Sequence, residues 1–185
     1  MQAYQAGDVR FIDQNNDGRI DIKDRISLGS AAPDYFGGFY TNFRYRHFAL
    51  SAEFAYSKGN KAYNAVRRTL ESASSFSNQS VAVSNRWSVE GQVTDMPRAT
   101  FGDAIGNNNF SSRWIEDASY LRIKNITLSY NFDKPIWNFF RSGTIYVTGE
   151  NLLTATKYLG LDPEFAYSSS DNACLLYTSD AADDL

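Results

Sequence analysis

An all-β fold of about four antiparallel strands is what this sequence predicts, and three observations carry it. Tyr120 to Phe132 places Ile126, Leu128, Tyr130 and Phe132 on one face and Asn125, Thr127, Ser129 and Asn131 on the other. This period-two alternation of aromatic and β-branched residues against small polar ones marks a strand with one oily and one wet face. Two more such runs, Phe39 to Tyr45 and Phe48 to Tyr56, are separated only by Arg46 and His47, which reads as a tight hairpin. Finally, short turns alternate with long polar loops along the chain. Two homes suit such a sheet. In a soluble sandwich the oily face packs on a second sheet; in a membrane barrel it faces lipid, with aromatics at the interface.

Composition narrows the choice. Aromatic residues are 15% of the chain while mean hydropathy is −0.43, and no apolar run is long enough for a membrane-spanning helix. A tilted barrel strand needs only about 10 alternating residues, so low hydropathy is compatible with a barrel. A net charge of −3 gives no basic field to attract nucleic acid. The lone Cys174 excludes an internal disulfide. The N-terminus has no basic segment followed by an apolar core, so no signal peptide is read here, which for a secreted or outer-membrane protein is explained if the chain is a fragment.

In chain order, residues 1–34 hold the first motif. Asp13, Asn15 and Asp17 alternate, Gly18 follows, and Arg19, Asp21 and Asp24 occupy positions seven, nine and twelve of a twelve-residue loop. Oxygen donors at this spacing around a glycine turn predict a bound Ca²⁺, with Arg19 contributing its backbone carbonyl. Two departures matter: Asp24 stands where the bidentate Glu is usual, and the entering segment is β-like, so the loop lacks full EF-hand helices. A solvated Asp/Asn/Gly turn is the alternative. The hairpin occupies 35–57. Residues 58–118 form a long loop with a short helix around Ala65 to Glu71, a serine-rich run and an asparagine run. Loops of this length are rare in compact domains but ordinary on the outer side of barrels.

Two strands with an intervening turn are predicted over 119–152. Pro135 ends the ladder, and Ile136, Trp137, Phe139 and Phe140 give an interfacial aromatic cluster. Thr144 to about Leu152 makes the fourth strand, and 153–173 is read as a loop. Parity places Glu53, Ser51, Thr127, Ser129, Asn131, Thr148 and Glu150 on the wet, lumen-lining side. Arg122 and Lys124 share parity with the oily Ile126, where charge is costly in hydrocarbon. Either the strand projects beyond the membrane there or a bulge near Asn125 flips its register; projection is the expectation. His47 reads as a turn residue and Glu116–Asp117 as a loop end, leaving no catalytic constellation, so the chain is read as non-enzymatic.

The phrases GDVRFIDQNNDGRIDIKDR, APDYFGGF, RW near MPR, WIEDASYLRIKNITLSYNF and IYVTGENLLTATKYLGLDPE occur in this order between Gly7 and Glu164. Together they resemble the C-terminal region of the SusC/RagA family of TonB-linked outer-membrane transporters. The resemblance implies an incomplete part of a large transmembrane β-barrel in the outer membrane of a Gram-negative, Bacteroidetes-like cell. It also implies a SusD-like surface lipoprotein as partner, TonB engaged through an absent N-terminal part, contact with outer-membrane lipid, and a glycan or peptide substrate. The plug and TonB box lie outside the chain on this reading. On this topology the turns at Arg46 and Pro135 are periplasmic, while the acidic loop, 58–118 and 153–173 are extracellular. Residues 174–185, CLLYTSDAADDL, resemble a translated sequencing adapter and are expected to be non-biological. The runner-up reading is a calcium-stabilised extracellular β-sandwich or adhesion module.

Overall fold

The structure is a computed structural model that describes residues 4–133 and 142–164. The Pro135 connector with its aromatic cluster and the tail from Cys174 lie outside the described residues. Four long strands form one antiparallel sheet: β1 (Tyr35–Tyr45), β2 (Phe48–Lys58), β5 (Tyr120–Phe132) and β6 (Gly143–Thr156), in the order β1-β2-β5-β6. Between β2 and β5 the chain builds β3 (Lys61–Tyr63), the helix α1 (Ala65–Leu70) and β4 (Ile115–Asp117), with β3 and β4 paired as a second small sheet.

The hairpin turns on Arg46 and His47, and Arg46 takes φ 53° to bring Tyr45 opposite Phe48. A positive φ is what a two-residue connection between right-twisted strands demands. The His47 carbonyl then accepts the Asn131 amide at 2.7 Å, locking the turn to β5. From there the register stacks oily rows across the sheet: Tyr45, Phe48, Tyr130 and Ile145, then Phe43, Leu50, Leu128 and Val147. Rings of Phe48 and Tyr130 lie 4.9 Å apart, and Phe39 stacks on Phe54 at 4.4 Å. These contacts run along the sheet, not through it. Phe43 is 64% exposed, Leu128 49% and Val147 72%, so among the described residues no second layer covers this face. A sandwich formed within the described residues would bury them.

The strand order also corrects the expected projection of Arg122 and Lys124. Glu53 of β2 pairs with Asn125, but the next residue, Phe54, pairs with Ile123, so β5 carries Lys124 as one extra residue. On its other side Asn125 pairs with Glu150 and Ile123 with Leu153, leaving Asn151 and Leu152 opposite Lys124. Asn151 takes φ 50°, a left-handed conformation that asparagine tolerates well. A bulge therefore re-phases the strand. Beyond it Leu121 and Ile123 join the oily face, opposite Tyr56 and Phe54, and Arg122 moves to the wet one, opposite Ala55 and Thr154. The same bulge lets β6 continue to Thr156, four residues past the predicted Leu152.

The core sits in the long loop, not under the sheet. Trp114 and Ala118 are fully buried there, with Ala62, Val83 and Met96 nearly so. Asn64 caps α1 by accepting the Arg67 amide at 2.9 Å, while its own amide donates to the Trp114 carbonyl at 2.8 Å. What composition suggested as an irregular loop is a folded cap, organised by the β3–β4 pair and Trp114.

Candidate functional site

Three groups of polar residues stand out, and the acidic loop comes first. Asp13 Oδ2 accepts the Gly18 amide at 2.8 Å, Asn15 Oδ1 accepts Asp17 at 3.0 Å, and Asp17 Oδ1 accepts Arg19 at 2.9 Å. Asn16 and Gly18 take positive φ of 59° and 79°, making the sharp reversal the motif needs. At the far end Asp21 caps the short turn Ile22–Asp24, and Asp24 folds back to accept the Gln14 and Asp21 amides at 2.9 and 2.7 Å. The Asp21 amide bond is the main cause holding the Asp24 carboxyl below the usual carboxylate range, against partial burial and with help from the Gln14 and Asn15 amides. The sequence motif thus closes into a ring, as the spacing predicts.

Asp13 Oδ1 is buried and has no hydrogen-bond partner, an orphaned hard oxygen at position one of the motif. Against that, the other carboxylates are engaged with backbone amides. Among the described residues no three acid, histidine or cysteine side chains gather as a ready-made metal cluster. The donor chemistry and the orphan oxygen fit a hard divalent ion; Asp17, Asp21 and Asp24 would have to share their amide-bound oxygens with it.

The segment leading into the ring is clamped onto the cap. Asp8, whose side chain has no solvent exposure, accepts Arg98 Nε at 2.7 Å and Nη2 at 3.2 Å. Asn107 Nδ2 donates to it at 3.3 Å and Asn107 Oδ1 accepts the Val9 amide at 2.9 Å. Burial pushes the Asp8 carboxyl up, but the Arg98 bond, the Gln5 amide and Asn107 outweigh it and hold it below the usual range. The clamp contributes stability that is complete above the ordinary carboxylate pKa and fades as pH falls through the depressed one. Gly7 explains its own identity here: φ is 85°, and a Cβ would lie 2.4 Å from the Trp87 ring.

The wet face of the sheet forms the third group. Tyr40, Glu53, Asn125 and Glu150 share one row, and Asn42, Ser51, Thr127 and Thr148 the next, with Thr127 and Thr148 hydroxyls 2.9 Å apart. Ser129 and Asn131 continue this face, Asn131 accepting the Thr144 hydroxyl at 2.6 Å. At the bulge lies a cluster that pattern reading missed. Arg122 binds Asp162 and, at 2.8 Å, Glu164, while its Nε reaches Thr154 at 3.0 Å; Lys124 joins Glu164 at 3.1 Å. Charges at the wrong parity and an acidic DPE phrase forty residues later were the signal that could have found it.

No protein-family model matches the chain. Its sequence is 34% identical over 168 residues to TonB-dependent receptor P3 of Formosa agariphila, covering 90% of this chain and 16% of that protein. It is 30% identical over 161 residues to TonB-dependent receptor SusC of Bacteroides thetaiotaomicron, covering 83% and 15%. Its fold matches the structure of the RagAB peptide transporter at a TM-score of 0.64 and 28% identity, over 78% of this chain and 16% of that one. The chain is a SusC/RagA-like TonB-dependent receptor segment. It spans about a sixth of the length of the curated relatives it matches. In this receptor segment the four strands are barrel wall, which is why their oily face is bare within the chain; four strands cannot close a transporter barrel.

Proposed function

We propose that this segment forms part of the wall and outer mouth of an outer-membrane transporter that imports nutrients, glycans or oligopeptides, with a SusD-like surface lipoprotein and energy from TonB. One observation carries the reading: a bare oily face on strands of 11 to 14 residues, in a chain whose relatives are TonB-dependent receptors. Outer-membrane lipid covers that face. The opposite face, with Glu53, Ser51, Thr127, Ser129, Asn131, Thr148 and Glu150, lines the lumen. The turn at Arg46 is periplasmic, and the cap and acidic loop are extracellular. The segment does no covalent chemistry. A full-length receptor carrying it should fractionate with the outer membrane, co-purify with a surface lipoprotein, and on deletion abolish uptake of one nutrient class. A receptor recovered in the soluble fraction would overturn this.

Calcium belongs to the same reading. Asp13, Asn15, Asp17, the Arg19 carbonyl, Asp21 and Asp24 supply the oxygens that would hold one Ca²⁺ and brace the extracellular surface. Filling the site would satisfy Asp13 Oδ1 and draw the carboxylates together. In the full-length receptor, saturating Ca²⁺ at about a hundred times its Kd should stabilise the loop by about 2.7 kcal/mol. Asp13→Ala and Asp17→Ala should each abolish the shift in melting. A transition that is the same with calcium and with chelator refutes the site.

A further inference from the structure

The ion-pair cluster at the bulge does more than satisfy stray charges. Without the bulge, Arg122 and Lys124 would lie on the face of Ile126; with it, both swing to the wet face and grip Glu164 together. Arg122 also holds Asp162, and its guanidinium packs 5.7 Å from the centre of the Tyr120 ring. Its side chain is only 11% exposed. The acids belong to the stretch that leaves β6 at Thr156, and this stretch is tied a second time. The Leu159 amide donates to Glu116 Oε2 at 2.8 Å.

Glu116 is itself a member of the cap. Its Oε1 accepts Arg67 Nη1 at 2.9 Å and Asn64 Nδ2 at 3.2 Å. Residues 157–164 therefore run as a strap from the folded cap to the wall, fastened at the cap through the Leu159 amide and at the wall by charge. The bonds at the wall end are charge-assisted, and the acids they involve are partly exposed, Asp162 by 46% and Glu164 by 30%. Such bonds are strong enough to hold a loop and open enough to be screened by salt.

We propose that Arg122 and Lys124 with Asp162 and Glu164 form a releasable latch, and that the 157–164 strap it holds couples the cap to the wall. The latch stands on the contacts alone; its place at the mouth of a transporter rests on the function proposed above. The coupling predicts that releasing the wall end loosens the strap without unfolding the cap or the barrel.

The test is hydrogen exchange on a full-length receptor in detergent. Arg122→Gln should lower protection of the 157–164 amides by about tenfold, the scale of losing a charge-assisted pair at a partly buried site. Protection of 60–71 and the heat-resistant mobility of the barrel should stay unchanged. Arg122→Lys, which keeps the charge, should retain much of the protection, while Arg122→Met, which keeps only an apolar stem, should lose it as Arg122→Gln does. If Arg122→Gln fails to fold, raising salt from 50 mM to 1 M on the unaltered receptor should loosen the same amides selectively. Unchanged protection in the variant, or under the salt series if the variant cannot be used, overturns the latch, as does equal protection in Arg122→Lys and Arg122→Met. A receptor whose latch behaves this way while it imports nothing would sink the transport reading and leave the latch standing.

Discussion

Replacing Trp114 by alanine is expected to unfold the cap of the receptor while leaving its barrel closed. Trp114 is fully buried and sits where η-type turn Ser112–Trp114 feeds β4, against α1 and β3. The Arg113 guanidinium stacks 4.5 Å above its ring and Arg67 lies 5.8 Å away. Burial and the unpaired Nη1 of Arg113 make that guanidinium costly to keep charged, and desolvation lowers its pKa. The indole face and Glu71, 3.9 Å away, are what compensate. Truncating a buried tryptophan costs about 3–5 kcal/mol. The indole N–H has no acceptor, which returns about 1 kcal/mol. The remainder exceeds what a local unit held by a handful of buried side chains can lose and stay folded. Amide exchange over 60–118 should rise by about thirtyfold to several hundredfold, a factor of ten for each ~1.4 kcal/mol. The barrel's resistance to SDS at room temperature should persist. Intact protection across the cap would show that its core lies elsewhere.

Leu128→Arg and Thr127→Arg should have very different consequences although the positions are adjacent. Leu128 sits mid-strand in the oily row with Leu50 and Val147, while Thr127 points to the wet face and bonds Thr148. An arginine on the lipid side of a barrel near the bilayer midplane costs about 2–4 kcal/mol, and one in a hydrated lumen costs little beyond the lost hydroxyl pair. Refolding the full-length receptor into lipid vesicles and following the midpoint in denaturant measures both. Leu128→Arg should shift the midpoint strongly and Thr127→Arg hardly at all. Equal shifts would mean that the two faces are not lipid and water.

The wall was legible because a strand advertises its faces two residues at a time. Leu128, Tyr130 and Phe132 against Ser129 and Asn131 leave little freedom in register. The cap was not legible, because it is held by single buried residues in an aperiodic stretch. Trp114, Asn64 and Met96 announce themselves only once β3 finds β4 across fifty residues. Long-range polar pairs were equally silent: Asp8 meets Arg98 ninety residues away, and nothing local to either marks the partner. The acidic loop is the opposite case. Its spacing announces the turn at Gly18, since the bonds that make it join residues two to five apart, and the ring closes within one twelve-residue stretch. The choice between projection and bulge went wrong for a definable reason. Parity counting assumes one residue per step, and Lys124 breaks that count.

That extra residue divides the demands made on a single strand. On the hairpin side of Lys124 the sequence answers to the bilayer, and every second position must be greasy. Beyond Lys124 the phase is reversed: Leu121 and Ile123 carry the oily face and Arg122 the wet one. Insertions that would otherwise turn a wall strand inside out can be absorbed at this point. A change of length at Lys124 therefore leaves the facing pattern on either side of it intact, so that one β-strand carries two opposite parities without turning either inside out.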